Sequence, residues 1–135
     1  MNRIDESGIT AGVKLTIHKE ERFFGPGICE LLERIRDTGS IQAAAMGMNM
    51  SYTKAWKIIK RAEKEMGADL IIRVSGGKNG GSSALTEAGM RAVKSFREME
   101  KALSDAAGEL LKSYRDDFLP PPPGKEQEKG ADSSL

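Results

Sequence analysis

Apolar and polar positions alternate at the start of the chain. Val13, Leu15 and Ile17 alternate with Lys14, Thr16 and His18, which predicts a half-buried strand over 13–18. Gly25-Pro26-Gly27 breaks that pattern, and Pro26 suits the first position of a helix. Ile28, Leu31, Leu32 and Ile35 follow at i, i+3, i+4 and i+7, the stripe of a helix that stops at Gly39. Ser40 caps a second, short helix containing Ile41, Ala43, Ala44 and Ala45. Gly47-Met48-Asn49-Met50 interrupts it, with Asn49 suited to a left-handed turn. Ser51 caps a third helix to about Met66, ended by Gly67. Leu70, Ile71, Ile72 and Val74 read as a strand, and Ser83, Ala84 and Leu85 as its return after a glycine-rich loop. Thr86 caps a last helix, with Glu87 in its first turn, reaching about Phe118 unless Gly108 breaks it. Prolines 120–123 stop that helix, and no internal repeat is present.

The order is strand, three helices, two strands, long helix. It predicts a mainly α (α+β) fold, a winged helix-turn-helix with a two- or three-stranded wing and a long C-terminal dimerisation helix. Residues 1–119 form the domain, with the dimer helix at about 86–118. Residues 120–135, Pro-rich and then polar, are expected to be a disordered tail.

The third helix carries the most information. Tyr52, Ala55, Trp56, Ile59, Ala62 and Met66 share one face, and Thr53, Lys54, Lys57, Lys60, Arg61 and Lys64 fill the rest. A recognition helix needs this division, one side on the domain and the other in the major groove. Ser51, Thr53 and Lys54 would then approach base edges, and the later cations phosphates. An amphipathic helix with a lysine-rich outside fits the same pattern equally well. Trp56 shares the face of Ile59 and reads as core rather than as a base-stacking platform.

Charge sharpens this picture. The whole chain has a net charge of +1, but residues 51–82 hold seven Lys/Arg against three Asp/Glu. A local basic patch suggests an anionic partner met by one face. The loop at 76–81 does not fit a P-loop. Ile72 stands five before Gly77 where a glycine is needed, and Asn79 follows Lys78 in place of Ser or Thr. A thin tip bearing Lys78 and Asn79, beside Arg73, suits a wing that touches DNA. A plain flexible turn fits too. In the last helix Ala92, Phe96, Met99, Leu103, Ala106 and Leu110 recur at spacings of 4, 3, 4, 3 and 4, a heptad-like stripe read as a homodimer interface.

Catalytic chemistry finds little support. His18 has no identifiable partner, Cys29 reads as a small buried group, and no metal-ligand spacing occurs. The reading is therefore of a protein that is not an enzyme and carries no cofactor. No apolar run approaches the roughly 20 residues of a membrane span, and the N-terminus has no secretory pattern. With a single cysteine, the expectation is a cytoplasmic protein with no membrane partner.

Several runs together resemble a known family. They are Phe24-Gly25-Pro26-Gly27, Leu31-Leu32-Glu33-Arg34-Ile35, Thr38-Gly39-Ser40-Ile41, Ala44-Ala45, Met50-Ser51-Tyr52, Ala55-Trp56, the 76–81 loop and Leu85-Thr86-Glu87-Ala88-Gly89. In order and spacing, over roughly residues 13–105, they resemble the N-terminal domain of ModE-type molybdate-dependent transcriptional regulators. The helix-turn-helix and Leu85–Gly89 are also similar to LysR-type regulators. The resemblance implies a dimeric, bacterial, winged-helix regulator of transcription that binds double-stranded DNA through Ser40, the third helix and the wing. Two departures stand out. Asn49 occupies the turn position where the family usually has glycine. The family's C-terminal molybdate-binding domains have no counterpart here, so molybdate binding is not expected of this chain. The other reading is an interaction adaptor that uses the dimer helix and the proline-rich tail without binding an operator.

Overall fold

The structure, a computed structural model, describes residues 8–74 and 82–119. Its elements are β1 (Ile17–His18), β2 (Arg22–Phe24), α1 (Pro26–Thr38), α2 (Ile41–Gly47), α3 (Tyr52–Met66), β3 (Ile71–Val74), β4 (Ser82–Leu85) and α4 (Glu87–Phe118). Contacts divide the described residues into one unit within residues 14–100 and a second made of residues 8–13 with 101–119.

Local chemistry sets the helix boundaries. α1 begins at Pro26 and ends on Gly39 at φ 72°, whose N–H donates to the Ile35 carbonyl at 2.8 Å. The Ser40 hydroxyl accepts from the Ala43 N–H at 3.0 Å to start α2. The turn beyond α2 passes through Asn49 at φ 56°, a conformation that a short polar side chain tolerates. Ser51 caps α3 by accepting from the Lys54 N–H at 3.0 Å, and left-handed Gly67 closes it. Thr86 accepts from the Gly89 N–H at 3.0 Å and donates to the Asp69 carbonyl at 2.6 Å, so it starts α4 and ties down the preceding turn. α4 runs unbroken through Gly108.

The strands depart from expectation in one place. Only Ile17–His18 of the alternating 13–18 segment is strand, and it pairs antiparallel with β2, Ile17 opposite Phe24 and His18 opposite Arg22. The chain turns into α1 immediately after Gly25, so nothing extended remains to pair with Val13–Thr16. β3 and β4 pair from Ile71–Leu85 to Val74–Ser82, giving a two-stranded wing among the described residues. With α2, its turn and α3 beside it, this is a winged helix-turn-helix.

The core of the 14–100 unit gathers Leu31, Leu32 and Ile35 of α1, Ile41, Ala44 and Ala45 of α2, and Ala55, Ile59 and Ala62 of α3. Phe24, Ile28, Cys29, Leu70, Ile71, Leu85, Val93 and Phe96 complete it. Phe96 corrects the dimer stripe. It is 1% exposed, its ring centroid 5.3 Å from that of Phe24, so it packs inside its own domain. Ala92 also packs against this core. A heptad pattern records which face is apolar but not whose core covers it. Cys29 is fully buried, and burial pushes its thiol up to about 11, which keeps it protonated.

Arg97 clasps α4 to α1. It donates to both Glu33 oxygens, at 3.0 and 2.7 Å, and to Glu100 at 2.7 Å. Glu63 holds the corner between α3 and β3. Its buried carboxylate accepts from the Leu70 N–H at 2.8 Å and pairs with Lys60 at 3.2 Å. In the second unit, Lys101–Asp105 and Lys112–Glu109 pair along α4, while Leu103, Leu110, Tyr114 and Phe118 are exposed.

Two stability predictions follow from these contacts. A Cβ at Gly89 would stand 2.5 Å from the Leu70 carbonyl oxygen, a backbone atom that cannot swing aside. Gly89→Ala is therefore expected to lower the unfolding free energy by about 1–3 kcal/mol in urea titrations, despite alanine's better helix propensity. Glu33 is the second case. The Arg97 hydrogen bonds hold its carboxyl below the usual range, so the folded state binds that proton less readily than the unfolded chain. Glu33→Gln should cost about 1 kcal/mol at neutral pH, a figure limited by the part-exposed guanidinium. The difference from the parent should persist above about pH 4.3 and vanish as pH falls through the lower folded-state value.

Candidate nucleic-acid interface

α3 touches the rest of the fold through a narrow strip. Ala55, Ile59 and Ala62 are fully buried with Glu63 beside them, and the small alanines bring the helix close to its supports. Thr53, Lys54, Lys57, Lys60, Arg61 and Lys64 are all exposed. Lys54, Lys57 and Arg61 form no ion pair among the described residues, whereas Lys60 is engaged by Glu63. Ser51 is exposed and Ser40 half-buried. Each accepts a helix-start N–H yet retains its own hydroxyl hydrogen as a donor.

The wing flanks one side of this face. Arg73 of β3 lies 4.9 Å from the centre of the Trp56 ring and donates to the Tyr52 hydroxyl. Lys60 stands 5.0 Å from the same ring, and Tyr52 meets Trp56 edge-on at 6.3 Å. Hydrogen bonding to Trp56 and then to Arg73 holds the Tyr52 phenol below its usual range. Trp56 is thus not a plain core residue. One part of it packs on the core and the rest is a platform for two cations. Tyr52, expected on the apolar face, is 41% exposed for the same reason: its hydroxyl reaches the wing. Lys78 and Asn79 lie outside the described residues.

The β1–β2 hairpin flanks the other side. Lys19, in its turn, donates to the Glu65 carbonyl at 3.5 Å. Arg22 joins Lys54, Lys57 and Arg61 around a depression of about 320 Å³. Sequence reasoning missed Arg22 because the strand that carries it is three residues long, too short for any periodicity to register. It missed Glu63 because a carboxylate among lysines reads as helix surface.

Of the dimer positions, Met99, Leu103, Ala106 and Leu110 are exposed. His18 is exposed and bonded to Thr16, and no cluster of His, Cys, Asp or Glu among the described residues has the arrangement of a metal site. No helix among them is long and apolar enough to cross a membrane.

Comparison with known proteins agrees with this geometry. Residues 29–90 match the bacterial regulatory helix-turn-helix protein, lysR family. Molybdenum transport protein ModE of Herbaspirillum seropedicae is 34% identical over 97 residues, 72% of this chain and 34% of that protein. DNA-binding transcriptional dual regulator ModE of Escherichia coli K12 is 31% identical over 111 residues, 82% of this chain and 41% of its own. Molybdenum-pterin-binding protein MopA of Rhodobacter capsulatus is 32% identical over 107 residues, 79% of this chain and 40% of its own. The match therefore spans only 34% to 41% of these relatives' lengths. Across residues 29–90 the chain carries a helix-turn-helix domain of the LysR type, and its homologues include the transcriptional regulators named ModE.

Proposed function

We propose that this protein is a transcriptional regulator that binds duplex DNA with α3 in the major groove. The observation that carries this reading is the set of cations on the exposed side of α3, Lys54, Lys57 and Arg61, that have no ion-pair partner among the described residues and stand between two β-hairpins. Ser51, Thr53 and Lys54 lie at the start of the helix and are assigned to base edges. Lys57, Lys60 and Arg61 are assigned to phosphates, with Ser40 at the start of α2 as a hydroxyl donor. Arg73, held on Trp56 and Tyr52, is assigned to the DNA backbone on the wing side, and Lys78 and Asn79, from the loop sequence that follows β3, are assigned the same role. A bacterial, cytoplasmic setting goes with this role.

Homodimerisation through the exposed part of the α4 stripe completes the proposal. Met99, Leu103, Ala106 and Leu110 keep the 4, 3, 4 spacing, and a second copy would cover them. A twofold dimer presents two recognition helices to half-sites one DNA turn, roughly 34 Å, or a multiple of it apart.

Two experiments test these claims. Duplex affinity should fall steeply with salt, and Lys57→Ala should weaken all sequences alike and reduce the log–log salt slope by about 1. No measurable binding to duplex DNA at low salt would replace this function with that of a protein-interaction adaptor. Leu103→Glu combined with Leu110→Glu should halve the sedimenting mass while the domain still unfolds cooperatively. An unchanged mass would remove α4 as the interface.

A further inference from the structure

We propose that the depression between α3 and the β1–β2 hairpin binds a small amphipathic anion, an aromatic or branched apolar body bearing a carboxylate, sulfonate or phosphate, in competition with DNA. The competition, though not the site, rests on the reading of α3 given above.

The depression holds about 320 Å³, at the lower end of the roughly 300–1,000 Å³ of small-molecule sites. Two kinds of surface meet in it. Lys54, Lys57 and Arg61 follow one another at spacings of three and four, so they rise along one side of α3, and Arg22 faces them from β2. Phe23, Phe24, Ile28, Met50 and Ile58 supply the apolar lining. No carboxylate lines the depression, and none of the four cations has an ion-pair partner among the described residues. Four like charges brought together without a counter-charge repel one another, and an anion removes that cost.

The apolar lining decides which anion. A DNA phosphate neutralises the cations but has no apolar group to lay against Phe23, Met50 and Ile58. A ligand with both a charged head and an apolar body satisfies both surfaces. The start of α1 adds to the same environment. Its cap residue, Gly25, has no side chain to accept the first N–H groups, and Gly25, Gly27 and Ile28 all line the depression. Lys57 and Arg61 cannot neutralise a bound ligand and a DNA backbone together, and Lys54 cannot serve a ligand and a base edge at once. The ligand therefore weakens DNA binding directly, at the reading face.

Gly27 gives the variant that separates the two functions. A Cβ there meets nothing within 4 Å, so a larger side chain grows into open space at the wall of the depression and removes no cation. The test is calorimetric titration of the full chain with naphthalene-2-sulfonate, with sulfate and 2-naphthol as arms that carry only one half of its chemistry. The expected result is one-to-one binding of the sulfonate, about tenfold or more tighter than either arm. Arg22→Gln should weaken it about fivefold or more. Gly27→Leu should abolish it while keeping a cooperative thermal transition and duplex affinity within about twofold. Sulfate binding as tightly as the sulfonate would reduce the site to a phosphate seat and overturn the proposal. Binding indifferent to both Arg22→Gln and Gly27→Leu would place the probe elsewhere and do the same. Duplex affinity unchanged by saturating probe would overturn the competition. If duplex DNA does not bind at all, the reading of α3 fails, and the titrations still decide the site.

Discussion

The burial of one broad face of α1 is the constraint from which the domain is built. Ile28, Leu31, Leu32 and Ile35 form one buried stripe, and Cys29 beside them widens it. α2, α3, β2 and β4 all pack on this one helix, and α4 reaches it through Phe96 on Phe24 and Arg97 on Glu33. Each neighbour is thus positioned against α1 as well as against the next element. Even the wing is referred back to it, since the Ser83 N–H donates to the carbonyl of Gly39 at 2.8 Å, where α1 ends.

That common reference lets α3 stay mostly in solvent and still hold a fixed pose. Its direct contribution to the core is small, with Ile59 alone providing a large fully buried side chain, worth about 1.5–3 kcal/mol. What restrains the helix further lies at its ends and flanks. Ser51 caps its start, and Glu63 grips the backbone of Leu70 past its end. On one side Trp56 and Tyr52 hold Arg73 of the wing, and on the other the hairpin turn reaches across through Lys19. The two flanks differ in chemistry. One spends its cations on aromatic rings, the other gathers them around an apolar hollow with no ion-pair partner among the described residues.

Much of this architecture was readable from residues whose physics is local. Ser40, Ser51 and Thr86 are caps, and Gly39, Gly67 and Asn49 take left-handed conformations, because each choice is settled within a few residues of chain. The apolar stripes of α1 and α3 placed most of the core for a similar reason. What escaped the sequence depends on partners far along the chain. Phe96 faces Phe24, 72 positions earlier, and nothing in its heptad spacing distinguishes that ring from one on a second copy. Glu63 is buried because the Leu70 N–H needs an acceptor at a turn whose geometry no composition reveals. Arg22 matters through its neighbours across α3, and its own strand is too brief to announce itself. The local half of the candidate site was therefore legible, and the flanks that frame it were not.

Trp56 is the chain's single tryptophan, and its place beside Lys60 and Arg73 has a practical consequence. Indole emission responds to charges close to the ring, and two cations stand about 5 Å from its centre. Any event that draws Lys60 or Arg73 away from the ring shifts the colour and yield of the native protein's fluorescence. The junction of α3 and the wing thus comes with a built-in optical gauge, needing no label and reading from one position alone.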